Sequence, residues 1–65
     1  MKNNIKHLRK QLNLRQEDLA NKLGVTRQTI NAIENDKYNP TLELAMKLAK
    51  LFKTPVEEIF QLEDE

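Results

Sequence analysis

Residues 16 to 38 read QEDLANKLGVTRQTINAIENDKY, and their pattern decides how the chain folds. Leu19, Ala20 and Leu23 recur at the spacing that places them on one face of a helix. Glu17 and Asp18 fall in its first turn, where negative charge suits the helix dipole. Gly24, the only glycine, stands where a left-handed residue ends that helix, and Val25 plugs the turn. Thr26 is a good N-cap for a second helix, whose Ile30 and Ile33 point inward one turn apart. The rest of that helix is polar or small, with Thr26, Arg27, Gln28, Asn31 and Asn35 facing outward. The stretch predicts helices over about residues 16–23 and 26–35, held from behind and polar in front.

On the N-terminal side, Ile5, Leu8 and Leu12 fall at i, i+3 and i+7, which predicts a helix over about residues 4–12 opened by capping asparagines. Asn13 and Leu14 interrupt it. His7, the only histidine, sits among lysines on its outer face and reads as solvated rather than as a ligand or base. Met1 to Asn3 can extend as a short strand. On the C-terminal side, Pro40 disfavours helix at Asn39 and Thr41 caps a fourth helix. Leu42, Ala45, Leu48, Ala49 and Phe52 make its apolar stripe, widened by Leu44, Met46 and Leu51, so it is either central or shared with a partner. Thr54, Pro55 and Glu57 predict a capping box with proline at the first position of a short fifth helix. The closing residues, QLEDE, read as a terminal strand or a frayed acidic tail.

Sixty-five residues allow one domain, residues 1–65, and so short a chain gains stability from association with a second copy. With no cysteine, neither a disulfide framework nor a thiolate metal site is available. No apolar run approaches the roughly 18 residues of a membrane span, and the N-terminus lacks a signal peptide's apolar core, so a cytoplasmic location is expected. The net charge is only +1, but it is unevenly spread. Residues 1–40 carry eight lysines and arginines against four acids, a net +4, while residues 41–65 carry three against six, a net −3. A basic front and an acidic back would orient the molecule toward a polyanion.

The polar helix over residues 26–35 matches what the DNA major groove requires. A helix about 10–12 Å across fits that groove, where each base pair presents a distinct set of donors, acceptors and methyl groups. Arg27 can reach guanine O6 and N7, Gln28 can pair with adenine N6 and N7, and Thr26 offers a hydroxyl and a methyl to thymine. The pattern Gln16, Leu19, Ala20, Gly24, Val25, Ile30 and Glu34 resembles the helix-turn-helix of the Cro/C1 (XRE) family of phage and bacterial repressors. The resemblance covers nearly the whole chain. The ending YNPTLELAMKLAKLFKTPVEEIF further resembles a subgroup of very small dimeric bacterial regulators that includes the repressor of the enterococcal cytolysin genes, in which strands from both chain ends flank five helices. It implies an all-α, five-helix lambda-repressor-like DNA-binding domain with a short terminal β-hairpin, acting as a repressor on double-stranded DNA.

Carried over residue by residue, the resemblance implies that Gln16 sits on a phosphate and braces Gln28. Thr26, Arg27, Gln28 and Asn31 would face the bases, while Asn35, Lys37, Tyr38, Asn39 and Thr41 would approach the sugar-phosphate backbone. Tyr38 can alternatively be a core residue with an exposed hydroxyl. Arg9 and Glu34 would form a structural pair fixing the recognition helix against the first. Two positions depart from the family pattern. Arg15 replaces the usual serine or threonine cap of the second helix, which leaves it weaker or supplied otherwise, with a phosphate contact as a use for the arginine. Asp36 replaces the usual glycine after the third, where aspartate tolerates the left-handed turn.

One recognition helix reads too few base pairs to find a site in a genome, whereas two copies related by a two-fold axis lie one DNA turn apart, about 34 Å, on an inverted repeat. Val56, Ile59, Phe60 and Leu62, with Leu42 and Leu51 beside them, either form that dimer surface within a pairing region of about residues 51–65 or fill the protomer core. Catalysis has no support from a solvated histidine, no glycine-rich phosphate loop and no paired carboxylates beside a pocket. Neither a cofactor nor a small-molecule ligand is expected. The stronger alternative is an antitoxin-like module that binds a protein partner.

Overall fold

The computed structural model of the chain describes residues 1–62. In order it contains strand β1 (Lys2–Asn3), helices α1 (Ile5–Gln11), α2 (Gln16–Leu23), α3 (Arg27–Glu34), α4 (Leu42–Phe52) and α5 (Val56–Ile59), and strand β2 (Phe60–Gln61). The all-α architecture with five helices and a small terminal sheet agrees with the sequence.

Each of the first four helices closes on a left-handed residue: Asn13 at φ 57°, Gly24 at 73°, Asp36 at 60° and Lys53 at 53°. The following amide folds back onto the last turn in every case. Leu14 N–H donates to the Arg9 carbonyl at 3.1 Å, Val25 to Ala20 at 3.0 Å, Lys37 to Ala32 at 2.9 Å and Thr54 to Ala49 at 3.1 Å. These bonds satisfy carbonyls that a helix end leaves without a partner. At Gly24 a β-carbon would meet nothing within 4 Å, so the glycine answers the backbone angle rather than a lack of space.

Helix starts are more varied. The Thr26 hydroxyl accepts from Thr29 N–H and the Thr41 hydroxyl from Leu44 N–H, each at 3.2 Å, so both threonines cap as expected. The asparagines before α1 do not. Asn3 Oδ1 accepts from Ile5 N–H at 3.1 Å, while the Asn4 side chain leaves the helix and donates to the Glu58 carbonyl at 3.0 Å. The predicted capping box of α5 is also absent, because the Thr54 hydroxyl donates backward to the Phe52 carbonyl at 2.9 Å. A short polar side chain beside a free carbonyl finds that local acceptor first.

The core gathers Ile5, Leu19, Ala20, Leu23, Ile30, Ile33, Leu44, Ala45, Leu48, Ile59 and Phe60. Each fully buried isoleucine or leucine among them contributes roughly 1.5–3 kcal/mol. On α4 the inward face is Leu44, Ala45 and Leu48; Leu42 and Met46 point to solvent, so Leu42 does not belong to the core stripe. Ile59 is fully enclosed within the protomer, which leaves it no free face for a second copy, and Leu51 is half-buried against the core. β1 and β2 pair antiparallel, with Lys2 opposite Gln61 and Asn3 opposite Phe60. Asn4 N–H continues the ladder to the Ile59 carbonyl at 2.9 Å. The strand alternative for the closing residues thus holds at Gln61, while Glu63 to Glu65 lie outside the described residues.

Candidate nucleic-acid interface

α2 and α3 pack on one another through Leu19, Ala20 and Leu23 on one side and Ile30 and Ile33 on the other. Burying those two isoleucines fixes the rotation of α3. Thr26, Arg27, Gln28 and Asn31 are all exposed as a result. Among the described residues, Arg27 and Gln28 make no intramolecular side-chain hydrogen bond, so every donor and acceptor on them is available. Thr26 and Asn31 are partly engaged. The Thr26 hydroxyl caps α3 and lies 3.0 Å from that of Thr29, and the Asn35 amide donates to the Asn31 carbonyl at 3.0 Å and to Asn31 Oδ1 at 3.3 Å.

The back of α3 is held by a buried ion pair. Arg9 Nε donates to Glu34 Oε2 at 2.7 Å and Arg9 Nη2 to Glu34 Oε1 at 3.1 Å, with side chains only 8% and 4% exposed. Arg9 Nη1 donates to the Leu14 carbonyl at 2.9 Å, tying in the loop before α2. The fork-to-fork geometry fixes direction as well as distance. Gln16 joins the same anion: its Nε2 donates to Glu34 Oε1 at 3.0 Å. The brace from Gln16 to Gln28 implied by the resemblance is not formed; the amide goes to the charged carboxylate, the stronger acceptor.

A helix-turn-helix family model matches residues 5–59, from the start of α1 to the end of α5. The chain belongs to the helix-turn-helix transcriptional regulators of Cro/C1 (XRE) type. It is 58% identical over 65 residues to the uncharacterized HTH-type transcriptional regulator MJ0272 of Methanocaldococcus jannaschii, covering 100% of this chain and 98% of that one. It is 48% identical over 65 residues to YgzD, an uncharacterized HTH-type transcriptional regulator of Bacillus subtilis, covering 100% and 98%. The cryptic phage CTXphi transcriptional repressor RstR of Vibrio cholerae is 40% identical over 55 residues, 85% of this chain and 50% of that protein. The relatives are archaeal as well as bacterial, so a bacterial source does not follow from the resemblance. A member of this family is a DNA-binding regulator of transcription.

In the family's frame the corner after the recognition helix is open. Asn35, Lys37, Tyr38, Asn39 and Thr41 are all exposed, and Tyr38, at 46%, takes the surface alternative rather than the core one. Arg15 at the head of α2 faces Asp18, with Nε to Oδ2 at 3.2 Å and Nη2 to Oδ1 at 3.3 Å. A guanidinium has no acceptor and cannot cap; instead Arg15 N–H donates to Asp18 Oδ2 at 2.9 Å, so Asp18 supplies the cap. The Arg15 side chain and backbone N–H together hold the Asp18 carboxyl below the usual carboxylate range. Among the described residues no cluster of histidine, cysteine or carboxylate could hold a metal ion, and no helix is long and apolar enough to cross a membrane. Two contacts had no sequence signal: Gln16 on Glu34, and Asn3, whose amide donates to the Ile33 carbonyl at 2.8 Å.

Proposed function

We propose that this regulator is a sequence-specific repressor that binds double-stranded DNA as a homodimer on an inverted repeat, with residues 1–65 acting as one DNA-binding domain in the cytoplasm. The observation that carries the reading is the contrast across α3: locked behind by the Arg9–Glu34 pair, it keeps Arg27 and Gln28 unengaged in front. Arg27 and Gln28 read base edges, joined by Asn31 through its remaining amide hydrogens and by the Thr26 methyl. Gln16, Asn35, Lys37, Tyr38, Asn39 and Thr41 grip phosphate and sugar, which positions the helix without specifying sequence. Repression is supported by the printed name of RstR, a transcriptional repressor.

Pairing is supported by an apolar groove lined by Met1, Pro40, Leu42, Val56, Phe60 and Leu62. Leu42 and Leu62 there are 74% and 69% exposed, an arrangement that covering by a second copy would stabilise. Selection of bound sequences from a random duplex pool tests the function directly: an inverted repeat with half-sites one turn apart is expected. Absence of retention on duplex DNA even at low salt would overturn the reading.

A further inference from the structure

Asn3 lies in the two-residue strand β1, opposite Phe60 of β2. Its side chain points across the protomer, and every polar atom on it is engaged. Nδ2 donates to the Ile33 carbonyl at 2.8 Å and to Asp36 Oδ1 at 3.1 Å, and Oδ1 accepts from Ile5 N–H. The partners on the far side stand 30 and 33 residues away in sequence. Ile33 is in the last turn of the recognition helix, its carbonyl accepting from Asp36 N–H at 3.0 Å as well as from Asn3, and Asp36 is the left-handed residue that turns the chain toward the Lys37 to Thr41 corner. Among the described residues, no other hydrogen bond runs from the β1–β2 sheet to α3 or the turn after it.

The same sheet borders the apolar groove. Met1 immediately precedes β1, Phe60 opens β2 and Leu62 follows it, and all three line that groove. One short strand therefore touches the surface on which a second copy is proposed to sit and, through Asn3, the end of the helix proposed to read bases. The Arg9–Glu34 pair cannot serve this purpose, since it fixes α3 to α1 rather than to the sheet.

We propose that Asn3 is a positioning residue that couples the pairing surface to the recognition helix, so that the two α3 helices of a dimer hold one separation and accept one half-site spacing. The inference rests on the homodimer reading above. A base pair advances the DNA by about 3.4 Å, so a firm link between two-fold axis and helix rejects a displaced half-site, whereas a loose one tolerates it.

The test uses the inverted-repeat duplex that the wild-type protein selects from a random pool, and the same duplex with one base pair inserted between the half-sites. Affinity for both is measured with wild type, Asn3→Ala and Asp36→Gly, and sedimentation gives the mass of each. Asp36→Gly removes the Oδ1 acceptor while placing at φ 60° a residue that adopts it without strain. The expected result is that Asn3→Ala stays dimeric and keeps its half-site base preference. Its preference for the original spacing falls by about five-fold or more, the scale of a single hydrogen bond among the three that the substitution removes; Asp36→Gly falls part of the way. A dimeric Asn3→Ala whose two affinities drop together, leaving the ratio unchanged, overturns the inference. Should Asn3→Ala fail to fold, Asp36→Gly decides by the same ratio. A wild-type protein that is monomeric on DNA overturns the homodimer reading and the coupling together, whereas one that is dimeric yet indifferent to the inserted base pair overturns the coupling alone.

Discussion

The carboxylate of Glu34 takes hydrogen bonds from Arg9 through both oxygens and from the Gln16 amide, so α1, α2 and α3 converge on one buried anion. Glu34→Ala would leave the Arg9 guanidinium enclosed with the Leu14 carbonyl as its remaining partner. The expected loss is about 3–5 kcal/mol, read from urea unfolding, a large share of what so small a domain has. At the front of α3 the balance reverses. Arg27→Ala and Gln28→Ala should leave the stability within about 0.5 kcal/mol of wild type, because both side chains are exposed and neither hydrogen-bonds within the described residues. Each should instead relax base preference by about 1–3 kcal/mol, seen as degeneracy at one position of the selected site. An unaltered preferred site for Arg27→Ala would remove it from base readout. Asp18 brings a pH dependence. Its carboxyl is held below the usual carboxylate range by the Arg15 side chain and backbone N–H, so the stability it contributes is fully present above the unfolded value and is lost as pH falls through the folded one. Unfolding curves of wild type and Asp18→Asn should differ at neutral pH and converge in acid.

Helix ends show where local sequence was informative and where it was not. Gly24 announced its left-handed cap because glycine alone adopts that angle freely, and Asp36 did so by standing where the family has glycine. Asn13 is a residue type that tolerates the same conformation, whereas Lys53 adopts it without any such mark. Lysine at φ 53° carries a left-handed penalty of roughly 1–2 kcal/mol that glycine would relieve, less what glycine costs in the unfolded chain. Lys53→Gly should therefore raise stability by about 0.5–1 kcal/mol, a gain of a few degrees in Tm. The inward face of α4 was similarly obscure. With eight of its eleven residues apolar, spacing alone could not separate Leu44, which is buried, from Leu42, which is not. In α2 and α3, where polar and apolar positions alternate cleanly, the same reasoning placed every core residue. The Arg9–Glu34 pair was legible through the family resemblance, whereas the same resemblance gave Gln16 to Gln28 and the structure gives it to Glu34, because a long amide reaches several partners.

At the scale of the whole molecule, the first forty positions carry a net +4 and the remainder a net −3, so electrostatic attraction to DNA is expected of the recognition motif and not of the region of α5 and β2. That division gives a way to separate pairing from binding. Leu42 is 74% exposed and contributes almost nothing to the protomer core, yet it lines the groove proposed to receive a second copy. A glutamate there should leave the folded protomer intact while placing a charge that a second copy would have to desolvate. Leu42→Glu is expected to sediment as a monomer at micromolar concentration, with the circular dichroism of wild type. On DNA it should lose the gain of about 10²–10⁴ that linking two half-site contacts provides, so that the inverted repeat binds little better than a single half-site. Its salt dependence should fall to about half the wild-type slope, because half as many phosphates are neutralised per complex. A Leu42→Glu protein that remained dimeric would move the pairing surface away from this groove, and with it the separation imposed on the two recognition helices.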